Sequence, residues 1–225
     1  MRSVVITGSA GCIGTVLTRQ LPYSITGLDL PSHDISDYRL LVDHCQGRDA
    51  VVHLAGEFGT ENWRSGDINP QNFRLDLNVL KAALEAGVRR VVVASSVHTD
   101  DFLAYDGSAL LSVDRPHPVP TSPYGAHKLF LEGLGRHFAA HAGLEVVAIR
   151  FGGVTPDGRR GSSGIDPFVY LSHADLVGCV SAAIEAPMPP SGFAVFYAVS
   201  DNAGRIHDTA NTVGWQPAAR PGQPR

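Results

Sequence analysis

A short β-branched run, Arg2–Thr7 (RSVVIT), passes at once into Gly8-Ser9-Ala10-Gly11-Cys12-Ile13-Gly14 and then into a helical pattern. No other stretch constrains the fold as strongly. A strand that turns on glycines into a helix is the opening unit of a parallel α/β sheet and a seat for a dinucleotide pyrophosphate. Gly8 permits the tight turn, Gly11 lets the backbone approach the phosphates, and Gly14 lets helix and strand pack closely. The helix N-terminus adds N–H groups and a partial positive charge. An ordinary glycine turn is the alternative reading of the same residues.

Strand and helix patterns alternate from there on, which predicts an α/β fold with a Rossmann-like, doubly wound parallel sheet and a small C-terminal substrate lobe. Helices are expected over Ile13–Leu21, Asp37–Cys45, Gln71–Ala86, Ser122–His141 and His173–Glu185. Strands are expected over Ser24–Leu30, Asp49–Ala55, Arg90–Ser95, Glu145–Phe151 and Ala194–Ser200. Between Asp29 and Asp34 the chain is too short for a crossover helix, which takes a dozen residues or more. Either the sheet is trimmed there or the segment after Asp34 runs as a loop into the next helix. The 225 residues make one domain, with 1–150 mainly a cofactor-binding core and 151–225 mainly a substrate lobe.

Composition narrows the function classes. Apolar residues at 44% suffice for a sizeable core, and a net charge of −4 offers no nucleic-acid footprint. No apolar run approaches the roughly 20 residues of a membrane helix, so no membrane partner and a cytoplasmic location are expected. Cys12, Cys45 and Cys179 are widely spaced and the histidines dispersed, so neither a disulfide framework nor a metal site is expected. Cys12 reads as a small side chain filling the glycine turn.

Tyr124 and Lys128 stand one helical turn apart in Tyr124-Gly125-Ala126-His127-Lys128, so both project from one face. An ammonium beside a phenol stabilises the phenolate and pulls its pKa down from about 10. Such a pair can exchange a proton with an alcohol or carbonyl oxygen. Ser95-Ser96 ends the preceding strand at its carboxyl edge, where ligands of open α/β sheets bind.

With these residues in place, the chain resembles the extended short-chain dehydrogenase/reductases (the NAD-dependent epimerase/dehydratases). The TGxxGxxG loop is matched by Thr7–Gly14, the acidic end of the second strand by Asp29, and the following Asp by Asp34 with Ile35. His53-Leu54-Ala55-Gly56 matches the HLAA-type segment, Ser95-Ser96 the strand end, and Tyr124–Lys128 the YxxxK pair. Within that group Ala94–Thr99 (ASSVHT), Tyr170–Val177 (YLSHADLV) and the Gly214-Trp215-Gln216-Pro217 tail are similar to the uronate dehydrogenases. The resemblance implies NAD as cofactor, held by Gly8, Gly11, Cys12, Ile13, Gly14, Asp29, Asp34, Ile35, Leu54, Ala55, Gly56 and Phe151, with Tyr124 and Lys128 at the nicotinamide end. It implies Tyr124 as proton acceptor, Lys128 as its activator and Ser96 as the holder of the reacting oxygen, with Thr99 a lesser candidate for that hydroxyl role. The implied substrate is a small cyclic, sugar-acid-like molecule, contacted by Phe58, Val97, His98, Gly153 and Arg160 (or Arg159). Three of these depart from the group's polar residues: Phe58, Val97 and Gly153 stand where it carries Ser, Asn and Ser. A nucleotide-sugar epimerase or reductase, or a non-catalytic NAD-binding regulator, are the alternatives, and a homodimer is a possible assembly.

Overall fold

The computed structural model describes residues 1–57, 68–162, 164 and 166–218. Six parallel strands form one sheet: β1 (Ser3–Thr7), β2 (Ser24–Leu28), β3 (Ala50–His53), β4 (Arg90–Ser96), β5 (Glu145–Phe151) and β6 (Phe193–Ala198), in the order β2-β1-β3-β4-β5-β6. The helices are α1 (Cys12–Gln20), α2 (Tyr38–Cys45), α3 (Gln71–Glu85), α4 (Pro123–Ala142), the single turn α5 (Asp166–Val169) and α6 (His173–Glu185). The architecture is the Rossmann-like α/β sheet that the alternation predicts.

The strands read as continuous apolar runs because both faces of the sheet are covered. Val4, Ile6, Val147 and Ile149 point into a core shared with α1 and α6, through Leu17, Leu176 and Val180. Val5, Val146 and Ala148 point into the opposite core, shared with α2, α3 and α4 through Leu41, Leu80 and Leu131. A third cluster, including Val97, Phe102, Val169, Tyr197 and Ile206, lies beyond the carboxyl ends of β4 and β6. Helix ends follow local chemistry: Asp37 caps α2 by accepting from the N–H of Arg39 at 2.9 Å, and Ser122 caps α4 with Pro123 in its first turn.

The short stretch after β2 resolves as both expectations at once. β2 is the edge strand, and the chain turns back through a loop in which Asp34 accepts from the N–H of Ser36 at 2.9 Å. It then enters α2 and returns on the other side of β1 to form β3. β6 stops at Ala198, short of its predicted end, and so do the two strands flanking β1, β2 at Leu28 and β3 at His53. The apolar residues beyond β2 and β3 leave the ladder to line a crevice on either side of β1, where the strand order reverses.

Candidate active site

The glycine loop is built by close packing. Gly8 has φ of 73°, and a Cβ there would lie 2.7 Å from the N of Ala55; one on Gly14 would lie 2.1 Å from the carbonyl O of Gly8. Both positions therefore exclude a side chain. Gly11 caps α1 with no side-chain hydrogen bond, leaving the first-turn N–H groups without that acceptor.

Two cavities meet at this loop. One, of 620 Å³, is lined by Asp29, Asp34, Ile35, Ala55 and Gly56, together with Gly8, Gly11 and Leu54. The other, of 630 Å³, shares those last three and adds Cys12, Ile13, Gly14, Ser96, Val97, His98, Tyr124, Lys128, Phe151 and Gly153. The crevice thus runs from the end of β2, past the glycines, to the end of β4, and fits an extended dinucleotide. Asp29 braces the loop by accepting from the N–H of Ala10 at 2.7 Å and from that of Leu30 at 2.9 Å. Cys12 is exposed on the crevice wall, and partial desolvation raises its thiol rather than activating it as a nucleophile.

At the far end, Ser96 closes β4 and Tyr124 and Lys128 project from the first turns of α4. Burial pushes the Tyr124 phenol above its usual range, while a hydrogen bond with Ser96 acts the other way. The spacing predicts a lowered phenol; here desolvation outweighs the stabilisation. Lys128 is 4% exposed, and burial pulls its ammonium down to about 8 although the charge of Asp76 opposes this. Its Nζ lies 5.5 Å from the Tyr124 ring centre.

The other expected contacts divide. Val97 is buried and Gly153 exposed, and both line the cavity wall. The His98 ring stands edge-on to Tyr124 with centres 5.7 Å apart, and its Nδ1 lies 2.7 Å from the hydroxyl of Thr121. Burial lowers its pKa. Thr99 turns away, donating to the carbonyl of Ser96 at 2.8 Å and lining neither cavity. Arg160 is exposed and lines neither cavity, and Arg159 faces Asp157 at the surface. Phe58 lies outside the described residues. Among the described residues no group of three or more His, Cys, Asp or Glu is placed to hold a metal.

The fold also brings here several residues that no motif marks. Phe102, Leu103 and Asp166 line the Tyr124 cavity. Behind Lys128, His53 reaches Asp76 at 3.0 Å through Nε2, and His127 brings Nε2 to 2.8 Å from the other carboxylate oxygen. Burial pushes the Asp76 carboxyl up, but hydrogen bonds from His127 and His53 and the charges of His53 and Lys128 outweigh it. The group is held well below the usual carboxylate range. One signal was available: Asn72, Asp76, Val79 and Ala83 share the buried stripe of α3, so a carboxylate sits where the periodicity demands an apolar residue.

Comparison with known proteins agrees with this geometry. The profile of the NAD dependent epimerase/dehydratase family matches residues 4–164. The chain is 31% identical to L-arabinose 1-dehydrogenase (NAD(P)(+)) of Haloferax volcanii, over 96% of each chain. It is 30% identical to the uronate dehydrogenase of Pseudomonas syringae pv. tomato, over 88% of this chain and 74% of that one. The crystal structure of uronate dehydrogenase from Agrobacterium tumefaciens superposes with a TM-score of 0.77 at 25% identity, over 97% of this chain and 85% of that one.

Proposed function

The chain belongs to the NAD-dependent epimerase/dehydratase family, and on that premise we propose how its residues act. It is an NAD-dependent oxidoreductase of uronate-dehydrogenase-like type, working on a hydroxyl or carbonyl carbon of a small cyclic, sugar-acid-like substrate. One observation carries the site assignment: Ser96, Tyr124 and Lys128 converge on a cavity continuous with the glycine crevice.

When bound, NAD supplies a hydride acceptor at its nicotinamide ring. The glycine loop and the α1 N-terminus hold its phosphates. Asp29 accepts from the adenosine ribose, and its charge disfavours a 2′-phosphate. Tyr124 takes the proton of the substrate hydroxyl, and Ser96, already hydrogen-bonded to that phenol, steadies the same oxygen. Because burial opposes ionisation of the phenol, the Lys128 ammonium must supply the compensating charge. Residues 151–225 supply the substrate side, beginning with Gly153. Tyr124→Phe is expected to lower kcat/KM by about 10²–10⁴-fold, followed as NADH formation with uronates and neutral aldoses. Unchanged turnover in that variant, or a folded protein that binds no NAD, overturns this reading.

A cytoplasmic homodimer belongs to the same proposal. Leu77 and Leu84 on α3 and Phe130 on α4 are large exposed apolar side chains on adjacent helices, a face suited to a second copy. Phe130→Glu is expected to give a monomer in sedimentation velocity, and wild-type protein sedimenting as a monomer removes the dimer. Among the described residues no helix is long and apolar enough to cross a membrane.

A further inference from the structure

We propose that Asp76 is a positioning residue for the reaction: its buried carboxylate, fixed by His53 and His127, is the counter-charge that keeps the Lys128 ammonium protonated beside Tyr124. This rests on the reading of Tyr124 and Lys128 as the proton-handling pair. Four elements build the cluster. Thr7, at the end of β1, places Oγ1 2.7 Å from His53 Nδ1, while the N–H of Ala55 donates to that hydroxyl at 3.4 Å. His53 on β3 and His127 on α4 contact the two carboxylate oxygens of Asp76 on α3, at 3.0 and 2.8 Å. Since a carboxylate only accepts, His53 presents Nε2–H to it, while His127 meets the other oxygen at ion-pair distance without hydrogen-bond alignment. His53, Asp76, His127 and Lys128 are all under 5% exposed.

A lone carboxylate at such a place is costly, and so is a lone ammonium. His53 and His127 hold the carboxylate in place, and its charge opposes the desolvation of the Lys128 ammonium, which follows His127 directly on α4. Among the described residues, the titratable and charged groups of the cluster are His53 from β3, His127 and Lys128 from α4, and Asp76 itself from α3, with Tyr124 beside Lys128. Glu57, on the adjoining loop, turns its carboxylate to Asn69 instead. The Phe73 ring packs edge-on against His127 with centres 4.7 Å apart, which keeps water from that side. Removing the carboxylate leaves the ammonium buried with less compensation, so its proton departs at lower pH, and the phenol loses its activating charge at the pH where it must work.

The composition makes a direct test available. Lys81 and Lys128 are the two lysines of the chain, and Lys81 is exposed. Protein labelled with ¹³Cε-lysine therefore gives two signals, which Lys81→Arg assigns. In Asp76→Asn the Lys128 signal is expected to titrate about one pH unit or more below its wild-type midpoint, with Lys81 unmoved and Asp76→Glu restoring the value. The alkaline limb of kcat/KM moves down by the same amount. If Asp76→Asn does not fold, His127→Gln is titrated instead, with a smaller shift of the same sign expected. A Lys128 midpoint unchanged in the variant that folds, or activity reduced by one factor at every pH, overturns the proposal. The titration needs no turnover, so its failure is distinct from failure of the oxidoreductase reading.

Discussion

Two buried polar clusters hang from successive turns of α4, and they differ in kind. Glu132, one turn beyond Lys128, receives Arg150 as a two-pronged pair, Nε and Nη2 each at 2.8 Å from a carboxylate oxygen. Ser95 also donates to Glu132, and the remaining guanidinium nitrogen reaches the Tyr197 hydroxyl at 2.8 Å. Charges match one to one, and although burial alone would lower Arg150, Glu132 and Tyr197 together raise it further above neutrality. Arg150 therefore keeps its proton throughout any working range. The Asp76 cluster, by contrast, joins one carboxylate to two imidazoles and an ammonium that burial has brought to about 8. The first anchors the strand end that carries Ser96; the second sits behind the proton-handling pair. Fixed charge supports the site, and adjustable charge is kept next to the chemistry.

Breaking the fixed cluster should give the largest loss of stability. Glu132→Ala leaves Arg150 buried without its partner, at a cost of about 3–5 kcal/mol. The urea midpoint should fall accordingly, by an amount that does not vary between pH 6 and pH 9. Arg150→Met added to it should recover part of the loss, because an apolar side chain does not need the missing carboxylate. A single variant that costs under about 1 kcal/mol would mean that water reaches Arg150, and would erase the contrast between the clusters.

The fold was legible because each level of the sequence pointed the same way. Valine-rich runs alternating with amphipathic segments can bury both faces of only a parallel sheet. The strand ends were overextended at Leu30 and Ala55 because apolar residues continue past the ladder to line the crevice. Tyr124 and Lys128 were legible as a pair because one helical turn guarantees a shared face. Asp76 was visible as an anomaly on an apolar stripe, and Arg150 as one inside EVVAIRF. Their partners were not legible. His53 and Glu132 lie on other elements, and nothing local fixes how α3 and α4 lay against β3 and β5. Arg160 shows the converse: a position inferred from a loop of differing length, in which spacing carries no geometric force, and which the fold leaves at the surface.

A third buried group sharpens the comparison, since it answers to the fixed cluster and yet titrates. His207 is fully buried against the Tyr197 ring, with centres 4.6 Å apart, and among the described residues neither ring nitrogen has a hydrogen-bond partner. Burial, reinforced by the charges of Arg150, Arg205 and His98, pulls its pKa down to about 3. The folded state therefore binds fewer protons at this position than the unfolded chain, whose histidine titrates near 6.5. Its contribution is complete above that value and is lost as pH falls toward the folded pKa. Between pH 7 and pH 5 the expected loss is about 2 kcal/mol. Urea unfolding at the two pH values measures it, and His207→Phe should remove most of the difference. His98, which burial also holds down, adds to the slope with the same sign. An equally steep fall in His207→Phe would place the acid sensitivity elsewhere and leave Arg150 without an electrostatic reach beyond its own ion pair.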